Sequence, residues 1–144
     1  MLTAAMFNHQ ELKGNRLAIV THAGGPGVML ADALSRGGFK VPHLTGPVAE
    51  ELLGKLYPGS SVNNPVDFLA TGTAEQLGTI IDYMDTRFDE IDGMVVIFGT
   101  PGLIDVTPVY QLLHEKMQTC QKPIFPVLPS IMTAAKAVQF FKDL

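Results

Sequence analysis

The chain has 144 residues, of which 47% are hydrophobic and only 17% charged, with a formal net charge of -4. That length is one domain's, and the composition suits a buried sheet covered by helices rather than a disordered chain or a coiled coil. Ten basic residues stand against 14 acidic ones, with no basic run, which argues against a broad nucleic-acid or anionic-membrane surface. No apolar run reaches the roughly 18 residues of a membrane span. The N-terminus has neither a basic start nor a long apolar stretch, so it is no secretory signal and the expected compartment is the cytoplasm. A single cysteine, Cys120, excludes an internal disulfide and a zinc site of several cysteines, and reads as a bystander thiol.

Residues 1–15 read as a helix-and-loop leader, and residues 16–144 as one domain. RLAIVT (Arg16 to Thr21) is an apolar, β-branched run and predicts a buried strand. HAGGPG follows as a loop. A helix is expected from Pro26, at its first position, to Arg36, stopped by Gly37 and Gly38. FKVPHL predicts a second strand, interrupted by Pro42 and so placed at an edge. Pro47 to Leu56 predicts a helix with Glu50 and Glu51 near its start. Asn64 precedes Pro65 and is pushed to extended geometry, and PVDF then gives a short third strand ending near Asp67. Thr73 and Gln76 fit a capping box opening a helix through Phe88, with Leu77, Ile80, Ile81 and Met84 as its apolar stripe. DGMVVIFG reads as a central parallel strand. A helix from about Val106 to Thr119, a fifth strand in KPIFPVLP and an amphipathic helix from Met132 to Asp143 complete the pattern. The simplest architecture is α/β: a flavodoxin-like, doubly wound, five-stranded parallel sheet in a three-layer αβα arrangement.

Ligands of such sheets sit beyond the carboxyl ends of the strands. HAGGPG is the sharpest loop there. Gly24 or Gly25 can take positive φ, and a helix starting at Pro26 leaves the N–H groups of Gly27, Val28 and Met29 free to bind an anion. The bland alternative is a tight turn that lets the helix pack close to the sheet. There is no G-x-G-x-x-G and no Gly-Lys-Ser or Gly-Lys-Thr, so dinucleotide and Walker loops are absent. Thr21 and His22 stand where a phospho-acceptor domain would carry an acidic pair, and the chain has no Trp to flank a flavin. Asp67 reads as an Asx turn or a substrate-positioning group, Asp105 as a helix cap, and His22 as a loop histidine able to pair with an anion. His9, His43 and His114 have no ligand spacing, and no nucleophile elbow or Ser-His-Asp order is visible. Nothing predicts a metal site.

RLAIVTHAGGPGVMLADAL, SVNNPVDFLATGTAEQ and DGMVVIFGTPGLID together resemble the last ligase domain in the alpha-type segment of NDP-forming acyl-CoA synthetases, the superfamily of succinyl-CoA synthetase. The likeness covers residues 13–129, and the family's fold is flavodoxin-like. The resemblance implies a reaction interconverting acid, CoA and NTP with acyl-CoA, NDP and phosphate, through an acyl phosphate and a phosphorylated histidine held by helix N-termini. By position, His22, Gly24, Gly25, Gly27 and Val28 would form one such phosphate-binding start, with Asn64, Asp67, Gly99 and Thr100 on supporting loops. The family's Ser-His-Thr-Gly stretch, its CoA-binding domain and its ATP-grasp domain are not in this sequence, and the family usually has Asn where His22 stands. The chain is therefore expected to hold no catalytic residue of its own and to bind no cofactor alone. CoA, ATP or GTP, and Mg would belong to the parent enzyme. The expected partners are the CoA-binding, phosphohistidine and ATP-grasp domains or subunits. The same fold could instead serve as a non-catalytic docking or regulatory module.

Overall fold

A computed structural model describes residues 10–98 and 107–127. The described elements are β1 (Leu17–Thr21), α1 (Gly24–Arg36), α2 (Pro47–Leu53), β2 (Val66–Asp67), α3 (Ala74–Thr86), β3 (Gly93–Ile97), α4 (Thr107–Thr119) and β4 (Ile124–Val127). The expected helix at 132–143, the start of the leader, Asp105, and Gly99 with Thr100 lie outside the described residues.

The four strands form one parallel sheet in the order β2-β1-β3-β4. Side chains alternate across it as strand geometry dictates. Ala18, Val20, Met94 and Val96 point to a core shared with Leu52 of α2, Leu77, Ile80, Ile81 and Met84 of α3, and Leu113 and Met117 of α4. Leu17, Ile19, Val95 and Ile97 point the other way, against Leu30, Ala31 and Leu34 of α1. Helices thus cover both faces. The long apolar runs at 16–21 and 92–98 become the two central strands because both of their faces are buried.

Several expectations are corrected, among them the extended geometry of Asn64, whose φ is 44°. FKVPHL is not a strand: it makes one parallel bridge, Lys40 to Arg16, before leaving the sheet. Pro42 has no N–H for a ladder, and the next positions along β1 are taken by the side chain of Asn64. Its Oδ1 accepts from the Ile19 N–H at 2.9 Å, and its Nδ2 donates to the carbonyls of Leu17 at 3.0 Å and Pro42 at 2.9 Å. A buried amide thereby stands in for a peptide unit of the missing strand. As a result, the short 66–67 strand pairs with the outer edge of β1, whereas a flavodoxin order would put the third strand between the first and fourth. The helix after β1 also starts earlier than expected, at Gly24, which makes Pro26 its third residue. Finally, the helix opening at Pro47 ends at Leu53 rather than Leu56, with Gly54 at its C-cap.

Other expectations hold. Thr73 Oγ1 accepts from the Gln76 N–H and Gln76 Oε1 from the Thr73 N–H, both at 3.2 Å, completing the capping box of α3. Cys120 is buried, and desolvation first of all pushes its thiol up to about 11, which keeps it unreactive. The start of β1 is pinned to the turn before β3 by Arg16. Its guanidinium donates to both oxygens of Asp92, at 2.9 and 2.6 Å, and its backbone N–H adds a third bond at 2.9 Å. These hydrogen bonds hold the Asp92 carboxyl down at about 2. No described helix is long and apolar enough to cross a membrane.

Candidate phosphoryl site at the start of helix α1

The carboxyl end of β1 runs into α1 through His22 and Ala23. Thr21 shapes this junction: its Oγ1 donates to the Ala23 carbonyl at 2.8 Å and accepts from the Ala23 N–H at 3.1 Å. That small ring turns the chain into helix two residues before Pro26. Ala23 is the N-cap, and no side chain caps the helix from within. In a helix beginning at Gly24, the N–H groups of Gly24 and Gly25 have no helical acceptor, and Pro26 offers none. Gly27 and Val28 fall where N–H groups bond back to the Ala23 and Gly24 carbonyls. The free donors therefore lie earlier than the sequence suggests. Neither Gly24 nor Gly25 adopts positive φ, which occurs instead at Gly38, Gly46 and Gly59.

Gly27 serves packing. A Cβ there would lie 2.9 Å from Thr21 Cγ2 and 3.2 Å from Pro65 Cβ. Gly25 faces open space, with nothing within 4 Å of a Cβ. Gly24 meets a third element: its Cβ would lie 2.9 Å from Asp67 Oδ2. Asp67 is held there from three sides. Its backbone pairs with Thr21 on β1 and, in both directions, with Ser61. Its Oδ1 accepts from the Leu69 N–H at 2.9 Å, in an Asx turn that leaves Leu69 at φ 68°. One carboxylate oxygen is thereby fixed beside the N-terminus of α1, where a negative charge is electrostatically favoured.

His22 is 9% exposed and turns towards β3. Its ring stacks on Phe98 with centroids 4.6 Å apart, and Nδ1 lies 3.4 Å from the Ile97 carbonyl oxygen. Of the residues singled out in the sequence, the structure thus gathers Gly24, Gly25 and Asp67. It places His22 against β3, Gly27 in a helix–sheet contact, and Asn64 on the backbone of β1. The closeness of Asp67 to Gly24 joins residues 43 positions apart in the chain, so no local pattern carries it. On the outer side, Val28 and Met29 are 57% and 74% exposed, an apolar step beside the open donors.

No family model matches the chain. It is 38% identical over 114 residues to the alpha subunit of the ADP-forming acetate–CoA ligase II of Pyrococcus furiosus, a match covering 75% of this chain and 24% of that protein. It is 34% identical over 108 residues to the ADP-forming acetate–CoA ligase I of Archaeoglobus fulgidus, covering 75% of this chain and 16% of that protein. Among solved structures, it superimposes on PH0766 of Pyrococcus horikoshii OT3 with a TM-score of 0.83 and 28% identity, over 97% of this chain and 33% of the other. The chain spans about a quarter or less of the length of these two curated relatives. It is homologous to one segment of the ADP-forming acyl-CoA synthetases.

Proposed function

We propose that the chain is a ligase domain of an NDP-forming acyl-CoA synthetase and that the start of α1 receives a phosphoryl group presented by another part of that enzyme. The similarity to ADP-forming CoA ligases supports the enzyme class. The observation that carries the site is the start of α1, where the Gly24 and Gly25 N–H groups have no acceptor among the described residues, at the carboxyl end of the sheet. Phosphoryl oxygens would accept from these groups, and the fixed helix dipole would stabilise their charge without reorganisation. The phosphoryl carrier would be a histidine of a partner domain, with the Asp67 turn bordering the same end of the sheet. Residues 16–144 form the ligase domain in this reading, and residues 1–15 lead into it.

The described residues hold no group of three or more His, Cys, Asp or Glu side chains able to bind a metal ion. The glycine loop has no lysine for a nucleotide's phosphates. In this reading CoA, nucleotide and Mg belong to the remaining domains, and this chain contributes backbone electrostatics at the start of α1. Alone, it forms no acyl-CoA from acid, CoA and ATP. Supplied with the remaining parts of a synthetase from the same genome, it does so with release of ADP and phosphate. Turnover by the isolated chain, or none by the combined parts when each is folded and associated, contradicts this reading.

One observation favours a second reading. Asp67 already sets a negative charge beside Gly24, and a helix start supplied with its own counter-charge suits a docking or regulatory module. In that case the exposed Val28 and Met29 are the recognised surface, and replacing both with polar residues abolishes assembly. In the ligase reading, Asp67→Asn leaves assembly intact and changes phosphate affinity at α1 instead.

A further inference from the structure

A second feature of the molecule lies away from α1. An open cleft of about 510 Å³ separates the connection after α2 from the first turns of α3, lined by Lys55, Tyr57, Thr73, Glu75, Gln76 and Thr79. This volume is in the range of small-molecule sites. Gln76 is 8% exposed, yet only half of its amide is used. Its oxygen must face the Thr73 N–H, because a backbone donor requires an acceptor, and it does so at 3.2 Å. Among the described residues the Gln76 Nε2 group has no partner, and it is not among the sealed, unpartnered atoms. It therefore opens into the cleft that Gln76 lines.

The other lining groups narrow the chemistry. Lys55 brings an ammonium group with no ion pair among the described residues. Thr79 Oγ1 has its proton committed to the Glu75 carbonyl at 3.0 Å, while Thr73 Oγ1 accepts from the Gln76 N–H in the capping box and keeps its own proton to donate. The groups left to engage a ligand are thus mainly donors, Gln76 Nε2, Lys55 Nζ and the Thr73 and Tyr57 hydroxyls, with the half-exposed Tyr57 ring in the same lining. Several donors and an aromatic face in one cleft match a carboxylate on a planar or apolar body. Glu75 adds one negative charge to the same cleft, which disfavours a dianion such as a phosphate monoester.

We propose that this cleft is a binding site for a small organic monocarboxylate, its oxygens accepting from Gln76 Nε2 and Lys55 Nζ and its body lying on Tyr57. The site is separate from the start of α1 and does not depend on the ligase reading.

Benzoate is the probe, with benzamide as the uncharged control, in a titration of the isotopically labelled chain followed by NMR. Benzoate is expected to move the Gln76 side-chain NH2 signals and the Tyr57 amide saturably, while benzamide leaves them in place. Gln76→Glu is the informative variant, since its carboxylate still accepts from the Thr73 N–H but offers no donor. It should weaken benzoate binding at least about tenfold, and Lys55→Gln, at an exposed position, by a similar factor. Unsaturable shifts, equal shifts with benzamide, or unchanged affinity in a folded Gln76→Glu chain would each overturn the proposal.

Discussion

Gly27 and Gly25 lie two residues apart in one glycine-rich loop, and the structure gives them opposite sensitivities. A methyl group at 27 would sit 2.9 Å from Thr21 Cγ2, inside ordinary contact distance, and Thr21 is fully buried with its χ1 fixed by two hydrogen bonds. Gly27→Ala is expected to destabilise the fold by about 1 to 3 kcal/mol through overpacking, partly offset by the better helix propensity of alanine. Gly25→Ala meets nothing and should leave urea unfolding within about 0.5 kcal/mol of the parent. Equal effects from both would show that the α1–β1 contact is not as close as described. Asp67 is the other decisive residue. Asp67→Asn keeps an acceptor for the Leu69 N–H but removes the charge beside Gly24. Under the phosphoryl reading, phosphate affinity at α1 should rise about two- to fivefold, the size of one charge at a helix terminus.

At the scale of elements, the most legible were those whose signal is local. The stripe Leu77, Ile80, Ile81 and Met84 is fully buried on α3, and the Thr73–Gln76 box caps it, because both patterns lie within a few residues of one another. The runs 17–21 and 93–97 became strands for the same reason. The segment 39–44 misled because its apolar content suits a strand, while the competitor for its place, Asn64, lies at least 20 residues away. Asn64 closes the edge of β1 by satisfying the Ile19 N–H and the Leu17 carbonyl. Asn64→Ala strands both groups in a buried setting and should cost about 3 kcal/mol, visible as a lowered urea midpoint. A near-neutral result would mean that residues 39–44 can pair with β1 as a regular strand. The start of α1 was legible as a glycine-rich helix entry, but its free donors were misplaced, because the turn made by Thr21 Oγ1 is a side-chain effect that composition does not reveal.

At the scale of the whole molecule, the links between distant segments set its response to pH. The Asp92 carboxyl is held at about 2, below its ordinary 3.8, mainly by its hydrogen bonds with Arg16. A group depressed on folding stabilises the fold above its unfolded pKa, and that contribution fades as pH falls from about 4 to 2. Asp92→Asn should therefore lower the melting temperature at pH 7 and flatten its fall between pH 4 and 2, which thermal unfolding at several pH values reads directly. The chain's relation to its curated relatives also belongs at this scale, since it spans only 24% and 16% of their lengths. A domain that contributes backbone donors, as proposed for α1, fits such a part. The family was legible in three loops of the sequence, whereas the position of Asp67 beside Gly24 required the fold. The most direct test of the account is a phosphate titration of the labelled chain followed by the backbone amides of residues 22–29. The account predicts saturable shifts centred on Gly24 and Gly25 that grow tighter in Asp67→Asn. Shifts absent from these two amides in both proteins would contradict it.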